Sequence, residues 1–411
     1  MGEGGRGRAK EDARLAGGKP ALALDRRLGE NSGNMKTPRL PSRRSFLEKA
    51  ALGAAGWWLG CRAAAPAEAP ARKLGIALCG LGSYATGQLA PALKRTQHVE
   101  LRGVVTGSRE KGRTWAKEFG FPEKNIYDYA TMARLVDNPE IDIVYVVTPN
   151  ALHPEHTIAA AWAGKHVISE KPMANTVADC NAMLAACRAN RVKLSIGYRL
   201  QFEPHYVELK RLARAPEVGP FMRMTGGLAF TIDRRVWRIE KAMAGGGPLM
   251  DIGIYCIQAA CMAADTSGAA HPVFAPVAVT AREHPKKRPD LFRDVEEGID
   301  WTMEFANGAR GEFTTSYNGG MDRFRAEAAQ GWFEFGPAFQ YGDLKAATHR
   351  GPLAVSVPPS QQAVQMDDFA QCVRENRESP VSGAMGRRDM VIIEAIYRSA
   401  AEGGRRVEIK V

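Results

Sequence analysis

Between residues 73 and 197 the sequence alternates short apolar, β-rich runs with segments of helical periodicity, and this alternation restricts the fold more than any other feature. The runs that predict strands are 73–79, 99–105, 126–127, 141–147, 166–169 and 193–197. Helices are predicted between them, up to Leu93 and at 110–119, 129–136, 156–163 and 177–189. Such alternation is typical of a parallel, doubly wound sheet. We therefore predict an α/β Rossmann dinucleotide-binding domain over residues 73–197.

After Tyr198 the pattern changes to strands that follow one another through short turns. These strands are predicted at 221–230, 277–282, 297–305, 309–317 and 323–335, and the closing helices at 363–375 and 386–402. Asn307-Gly308 between two of the strands is a hairpin signal. Residues 198–411 are therefore expected to form an α+β domain on a large, mostly antiparallel, open-faced sheet. Because an exposed sheet face favours association, we predict a dimer or tetramer that is formed through it.

The formal charge of +11 is concentrated near the N terminus, where residues 1–72 carry a net +7. Arg43-Arg44, an apolar run at 50–60 and an Ala-rich exit at 63–67 are the three parts of an export signal of the twin-arginine type. We therefore predict a signal peptide over 35–67, recognised by the twin-arginine export machinery, and a periplasmic protein.

The segments around this signal carry further expectations. Residues 1–34 precede Met35 and are expected to be an over-extended start or disordered, whereas 68–72 form an N-terminal arm. A lipid anchor at Cys61 is the alternative to a cleaved signal.

Beyond the leader no basic stripe with interleaved aromatic residues occurs, so no nucleic-acid binding is expected. The seven Cys show no ligand spacing, so no metal site is predicted.

The first strand is followed by Gly80-Leu81-Gly82-Ser83-Tyr84-Ala85, a Gly-x-Gly-x-x-Ala sequence that opens a helix. Glycines at this turn let a pyrophosphate approach the backbone, and the free N–H groups and dipole of the helix N-terminus favour an anion. Residues 80–84 are therefore predicted to bind a dinucleotide.

The end of the second strand indicates which dinucleotide is bound. Folds that bind NAD usually place Asp or Glu there for the ribose 2′-hydroxyl, whereas a 2′-phosphate needs cations and hydroxyl groups. Here Thr106 replaces the acid, and Ser108, Arg109 and Lys111 supply donors. NADP is therefore predicted in preference to NAD. The alternative is an ordinary solvated loop, which would explain both cations but not the missing acid.

Polar side chains also follow two later strands of the predicted sheet. Pro149, Asn150 and His153 follow the fourth strand, and Glu170 and Lys171 follow the fifth. Ligands of open α/β sheets meet the carboxyl ends of the strands, so these residues are expected beside a nicotinamide. An ammonium group there can stabilise the alkoxide that develops as a carbon loses hydride. A surface Lys before a turn Pro is the alternative for Lys171.

Three glycines, Gly245-Gly246-Gly247, precede an apolar segment that carries Asp251 and Tyr255. In a helix these two residues lie on one face, four positions apart. Glycines let the backbone approach another group closely, and we expect them to open the floor of a pocket. The alternative is a buried helix whose Tyr255 hydroxyl bonds a neighbouring carboxylate.

Together these motifs resemble the Gfo/Idh/MocA family (glucose–fructose oxidoreductase/inositol dehydrogenase), and within it the glucose–fructose oxidoreductases. The resemblance covers nearly all of residues 72–411 and rests on Gly80-Leu-Gly82, Thr148-Pro-Asn-Ala-Leu-His153, Glu170-Lys-Pro172, Gly197-Tyr-Arg199, Trp237-Arg238 and Leu249-Met-Asp-Ile-Gly-Ile-Tyr255. Residues 197–204 change the pattern beside the sugar pocket, and residues 231–235 form a shorter and more basic segment than the family pattern implies, which leaves the pair of sugars open.

The resemblance implies a role for each matching residue. Tyr255 would accept and donate the proton, Asp251 would orient it or the sugar, and Lys171 would contact both the sugar and the nicotinamide ribose. A phenol suits this task if a cation such as Lys171 stabilises its anion. The residues implied to hold sugar hydroxyls are Tyr198, Arg199, Trp237 and Arg238. The resemblance also implies tightly bound NADP, with the arm over the adenine.

The leading hypothesis is an exported NADP-dependent oxidoreductase that oxidises an aldose at C1 to the lactone and passes the hydride to a second sugar. A conventional NAD(P)-dependent sugar dehydrogenase and an NAD-dependent glycosidase of the same family are the alternatives. A non-catalytic sugar-binding protein is disfavoured by the intact set of Lys171, Asp251 and Tyr255.

Overall fold

Two sheets organise the part of the chain that the computed structural model describes, residues 72–268 and 274–410. These residues belong to one structural unit, Ala69–Val411. The signal peptide at 35–67, the preceding residues 1–34, the lipid-anchor alternative at Cys61 and most of the arm at 68–72 lie outside the described residues. Their assignments therefore stay predictions.

The first sheet is parallel and is flanked by helices. Its strands are β1 (Leu74–Cys79), β2 (Val99–Val105), β3 (Ile126–Tyr127), β4 (Ile143–Val146), β5 (His166–Ser169) and β6 (Leu194–Ile196). The helices are α1 (Ala90–Leu93), α2 (Arg109–Phe119), α3 (His153–Trp162) and α4 (Val177–Ala189). The strand order is β3-β2-β1-β4-β5-β6, so the order reverses between β1 and β4. Open α/β sheets bind ligands at such a reversal. The doubly wound sheet is confirmed.

Local interactions explain where several of these elements begin and end. The β1 strand is buried along its whole length, as expected of a parallel strand covered on both faces. The α2 helix begins where the Ser108 hydroxyl accepts a hydrogen bond from the Lys111 N–H, and it ends at Gly120 in the left-handed conformation. The predicted helix at 129–136 is instead a 3₁₀ helix, Met132–Asp137. Asp128 accepts from the Thr131 N–H at 2.7 Å, and this turn delays the helix.

The second sheet has nine strands. They are β7 (Arg223–Ala229), β8 (Ala278–Glu283), β9 (Gly298–Glu304), β10 (Arg310–Ser316), β11 (Met321–Ala328), β12 (Gly331–Phe335), β13 (Ala346–Thr348), β14 (Gly351–Pro352) and β15 (Val407–Glu408). Their order is β14-β13-β12-β11-β7-β10-β9-β8-β15, and only β7 and β10 pair in parallel. The mostly antiparallel sheet is confirmed. The single strand predicted at 323–335 is the hairpin of β11 and β12.

The remaining α-helices of the described residues are α5 (Pro204–Leu212), α6 (Lys241–Ala244), α7 (Ile254–Ala264), α8 (Gln361–Arg374) and α9 (Gly383–Ala401). Two of them pack against the second sheet, α7 against β7 and β11, and α9 against β8 and β15. In β9 and β10, Trp301 and Phe313 are buried, whereas Asp300 and Glu312 are exposed on the opposite face. Within the described residues that face is therefore open, as the alternation of side chains in a half-covered sheet requires.

Two helices of the second half of the chain position the site. Every residue of α7 is buried, and a π-helical turn, Leu249–Gly253, leads directly into it. The α8 helix returns to the first sheet, where Met366 and Phe369 complete the core beside β2. The two sheets are thus joined by packing as well as by the chain.

Candidate active site

A cleft of about 620 Å³ lies at the carboxyl ends of β4 and β5, facing the segment that follows β7. From the first sheet and its loops it is lined by Tyr84, Val147, Thr148, Asn150, His153, Glu170 and Lys171. From the second half of the chain it is lined by Phe230, Thr231, Ile232, Asp233, Arg234, Val236, Trp237, Arg238, Asp251, Ile252, Tyr255 and Tyr341. The cleft therefore contains the three residues assigned to catalysis from the sequence.

Lys171, Asp251 and Tyr255 meet inside this cleft. The Lys171 ammonium donates a hydrogen bond to the Asp251 carbonyl oxygen at 2.7 Å and lies 3.4 Å from its Oδ1. The same Nζ is 4.8 Å from the centre of the Tyr255 ring. A strand end and a helix, separated by 80 residues of sequence, thus bring an ammonium, a carboxylate and a phenol together.

The charge states of this pair follow from its surroundings. Burial alone would lower the pKa of Lys171, but Tyr255 and Asp251 outweigh it and raise that pKa. Burial alone would raise the pKa of Asp251, but Lys171 and Arg238 outweigh it and lower that pKa. Opposite charges within a few ångströms favour both charged forms. At neutral pH the cleft therefore holds an ammonium beside a carboxylate.

Asp251 is fixed by two further groups. The Tyr317 hydroxyl donates to its Oδ2 at 2.9 Å, and Arg238 Nε lies 3.3 Å from the same oxygen. The Arg238 guanidinium in turn lies 4.6 Å from the ring centre of Trp237. Trp237 and Arg238, assigned to sugar binding from the sequence, are therefore placed in the cleft, with Arg238 also holding the carboxylate.

The glycines before the helix do not open the pocket floor, and this expectation was wrong. A Cβ at Gly245 would lie 2.6 Å from Asn175 Oδ1, one at Gly246 2.0 Å from the Tyr397 hydroxyl, and one at Gly247 2.3 Å from the Glu296 carbonyl oxygen. None of the three glycines lines the cleft. They are required because other parts of the protein press against the backbone behind the site.

Tyr198 and Arg199 are not placed in the cleft, contrary to the sequence assignment. Tyr198 is 3% exposed in the core, where burial and then the charge of Asp389 raise its pKa well above the ordinary value. Arg199 is 1% exposed and donates to the carbonyl oxygens of Phe339 and Gln340. Its guanidinium lies 5.2 Å from the ring centre of Tyr255, so it supports the phenol from behind.

The turn after β1 has the geometry expected of a dinucleotide site. Gly80 has φ +105°, and a Cβ there would lie 3.0 Å from the Val147 carbonyl oxygen, so only glycine fits. At Gly82 the space where a Cβ would lie is open. Leu81 is buried, Ser83 is exposed, and Tyr84 lines the cleft. A pyrophosphate can therefore approach this backbone.

At the end of β2 the predicted residues are grouped around the first turn of α2. Thr106 is buried and its hydroxyl accepts from the Ser108 N–H at 3.2 Å, while the Ser108 hydroxyl caps the helix. Arg109 and Lys111 are exposed. Two long cationic side chains and the N terminus of α2 therefore lie where a 2′-phosphate would be held.

The residues after β4 and β5 hold each other in place. The His153 ring lies between the two loops, with Nε2 2.8 Å from the Thr148 carbonyl oxygen and Nδ1 2.9 Å from that of Pro172, and the one N–H of the neutral ring donates to one of these two oxygens. Burial lowers the pKa of His153 to about 4, so the ring is neutral at pH 7. Asn150, which follows Pro149, donates to the Ala244 carbonyl oxygen at 2.9 Å. Glu170 accepts from the Tyr145 hydroxyl at 2.7 Å.

Two family models match the chain. One, described as the oxidoreductase family with an NAD-binding Rossmann fold, covers residues 74–198. The other, the GFO/IDH/MocA C-terminal domain, covers residues 206–334, so the two span more than half of the 411 residues. The chain belongs to the Gfo/Idh/MocA oxidoreductase family.

Several relatives within the Gfo/Idh/MocA family are sugar oxidoreductases. The D-xylose 1-dehydrogenase (NADP+) of Haloarcula marismortui is 28% identical over 338 residues, which is 79% of this chain and 90% of that protein. The crystal structure of aldose-aldose oxidoreductase from Caulobacter crescentus, complexed with glycerol, is 41% identical and has a TM-score of 0.78. That alignment covers 82% of this chain and 100% of the other.

A structure of levoglucosan dehydrogenase in complex with NADH and levoglucosan has the same fold. It has a TM-score of 0.69 at 22% identity, over 83% of this chain and 100% of the other. The Gfo/Idh/MocA fold and membership predicted from the sequence are thus confirmed.

Sequence reasoning missed several residues of the cleft. Tyr341 is 48% exposed in a loop after β12, with its ring 4.4 Å from the Arg199 guanidinium and 5.9 Å from the Tyr84 ring. Tyr317, which is buried outside the lining of the cleft and holds Asp251, was missed as well. It follows β10 directly, and an aromatic residue at a strand end was the available signal. No local pattern marks Tyr341, because its position depends on contacts with distant residues.

Proposed function

We propose that the protein is a sugar oxidoreductase with tightly bound NADP(H), which oxidises an aldose at C1 and passes the hydride to a second sugar. The convergence of Lys171, Asp251 and Tyr255 in one cleft at the carboxyl ends of the strands carries this proposal. The similarity to an aldose-aldose oxidoreductase, at 41% identity, supports the two-sugar reaction.

Each of the three groups has a distinct task. A bound nicotinamide would supply the hydride acceptor and donor. As its phenolate, Tyr255 takes the proton of the C1 hydroxyl as the carbon is oxidised to the lactone, and the resulting phenol returns that proton when the carbonyl of the second sugar is reduced. Lys171 stabilises the phenolate and the negative charge on the sugar oxygen. Asp251 holds the ammonium in place through its carbonyl and carboxylate oxygens.

The residues around the cleft fit a dinucleotide, and NADP is the form we propose. The open space at Gly82 and the positive φ of Gly80 leave the backbone accessible to a pyrophosphate. Exposed Arg109 and Lys111 beside the buried Thr106 supply the cations that a 2′-phosphate needs. The NADP+ dependence in the name of the xylose dehydrogenase relative supports the same choice.

The charges that line the cleft favour an uncharged sugar. They are three cations and three carboxylates: Lys171, Arg234 and Arg238, with Glu170, Asp233 and Asp251. With the signs balanced, the cleft has no excess charge to attract a phosphorylated or acidic sugar. Hydroxyl-bearing sugars instead find donors and acceptors on several sides.

Retention of the cofactor between the two half-reactions is supported by Tyr84 and Tyr341. Tyr84 belongs to the glycine turn, and Tyr341 reaches it from the second half of the chain, with ring centres 5.9 Å apart. Both rings line the cleft, so contacts with them would slow the release of a bound nicotinamide.

Export and assembly complete the proposal. Export by the twin-arginine machinery to the periplasm is supported by residues 35–67, which lie outside the described residues. Association into a dimer or tetramer is supported by the uncovered face of the nine-stranded sheet. Because free NADP is scarce outside the cytoplasm, an exported enzyme needs a cofactor that stays bound.

One experiment tests the proposal. The purified protein is denatured and the released nucleotide is identified by mass spectrometry, and the native protein is then given glucose plus fructose, or aryl glycosides, without added cofactor. We expect released NADP and conversion of the sugar pair. Turnover only with added NADP would indicate a conventional dehydrogenase, and released NAD with glycoside cleavage would indicate the glycosidase; either result refutes the two-sugar reaction.

A further inference from the structure

The helix that carries Asp251 and Tyr255 is held at its N terminus by a buried carboxylate. Glu296, which is 4% exposed, accepts hydrogen bonds from the Gly247 N–H at 2.9 Å and the Leu249 N–H at 3.0 Å. These N–H groups belong to the first turn, where a helix has no internal acceptors for them. A negative charge there also interacts favourably with the helix dipole.

A second residue completes this anchor from another helix. The Tyr397 hydroxyl, on α9, donates to Glu296 Oε1 at 2.9 Å. Burial raises the pKa of Glu296, while the Gly247 and Leu249 N–H groups and the Tyr397 hydroxyl oppose that effect. Three donors thus converge on the Glu296 carboxylate, and each of these hydrogen bonds depends on the exact position of that carboxylate.

Two of the three glycines, Gly246 and Gly247, admit this anchor. A Cβ at Gly246 would lie 2.0 Å from the Tyr397 hydroxyl, and one at Gly247 would lie 2.9 Å from the Glu296 carboxyl carbon. Any side chain at either position would push the anchor away from the helix. The close approach therefore requires glycine, and it lies only four residues before Asp251.

We propose that Glu296 and Tyr397 are positioning residues, which fix the first turn of the catalytic helix and thereby set where Asp251 and Tyr255 meet the sugar. Neither residue lines the cleft, so they act through the helix and do not touch the substrate. A displacement of the reacting groups by about 1 Å costs on the order of 100-fold in rate. The proposal rests on the function proposed above for Asp251 and Tyr255.

The test compares Glu296→Gln and Tyr397→Phe with Asp142→Asn as a matched control. Glutamine keeps the shape of the side chain but turns an NH₂ group toward one of the two N–H donors. Asp142 likewise accepts from a backbone N–H, that of Gly75 at 2.7 Å, but at the amino ends of the strands, away from the cleft. Tyr397→Phe removes only the hydrogen bond from the Tyr397 hydroxyl to Glu296, so it still tests the positioning role if Glu296→Gln does not fold.

Two measurements are made on each variant. We expect amide hydrogen exchange over residues 247–255 to become faster in Glu296→Gln and Tyr397→Phe but not in Asp142→Asn. We also expect kcat to fall at least tenfold in Glu296→Gln, with a larger isotope effect for a C1-deuterated aldose and with KM and bound cofactor changed less than twofold.

The outcomes are distinct for the two proposals. Unchanged exchange over 247–255, or faster exchange with kcat within twofold of the wild type, would overturn the positioning role. If the wild type oxidises no aldose, the proposed function fails, and the exchange measurement alone then decides whether Glu296 and Tyr397 hold the helix.

Discussion

Replacing Gly246 by alanine tests how tightly the catalytic helix is packed from behind. The new Cβ would lie 2.0 Å from the Tyr397 oxygen and 2.7 Å from its Cζ, far inside any contact that real atoms make. Tyr397 must therefore move, and its 2.9 Å hydrogen bond to Glu296 is lost. Overpacking costs about 1–3 kcal/mol, and a lost bond to a charged group about 1.5–3 kcal/mol. Together, Gly246→Ala should lower the free energy of unfolding by about 2.5–6 kcal/mol.

The assay is equilibrium unfolding in urea, followed by tryptophan fluorescence. In a Tyr397→Phe background the closest oxygen is absent, so the cost of Gly246→Ala should shrink by about 1 kcal/mol or more. Gly87→Ala is the control, because nothing lies within 4 Å of a Cβ at that exposed helical position. It should be neutral or stabilising by up to about 1 kcal/mol. A Gly246→Ala variant as stable as the wild type, or one equally costly in both backgrounds, would refute this packing argument.

Three further predictions concern the cleft and the cofactor site. Lys171→Met should lower kcat by about 100-fold or more, because the ammonium that stabilises the developing negative charge is lost; unchanged kcat in steady-state assays would contradict this. Arg109→Ala and Lys111→Ala should each weaken NADP binding relative to NAD by about tenfold, about 1.4 kcal/mol, in fluorescence titrations of protein freed of nucleotide. Burial lowers the pKa of His153 in the folded protein to about 4, below its ordinary value of 6.5 in the unfolded chain. Because the unfolded state binds that proton first, the free energy of unfolding should fall by up to about 3 kcal/mol between pH 6.5 and 4. His153→Gln should flatten this dependence in urea unfolding, and an equal slope in both proteins would exclude His153 as its source.

Features set by neighbouring residues could be predicted from the sequence. Gly80 and Gly82 follow a strand and precede a helix, which is enough to indicate a dinucleotide turn. Asp251 and Tyr255 are four residues apart in a helical segment, so their common face follows from helix geometry. Lys171 follows β5, and the carboxyl ends of parallel strands meet at one edge.

Features set by distant residues could not be predicted in this way. Arg199 begins a 3₁₀ helix, Arg199–Phe202, that places its side chain behind Tyr255 and outside the lining of the cleft. Glu296 and Tyr397 are separated by 101 residues, and only the folded chain shows that both press on the glycine turn. The three glycines predict that another group lies close to the backbone, but no residue near them in the sequence indicates which group it is.

The claim that Lys171, Asp251 and Tyr255 act together on one sugar carbon is tested most directly by a single turnover. Wild-type protein and Tyr255→Phe, each with its nicotinamide in the oxidised form, are mixed with an aldose, and reduction of the nicotinamide is followed by its absorbance. The account predicts equal amounts of bound nicotinamide in both proteins, with reduction slower by about 100- to 10,000-fold in the variant. Reduction at the wild-type rate in Tyr255→Phe would contradict it.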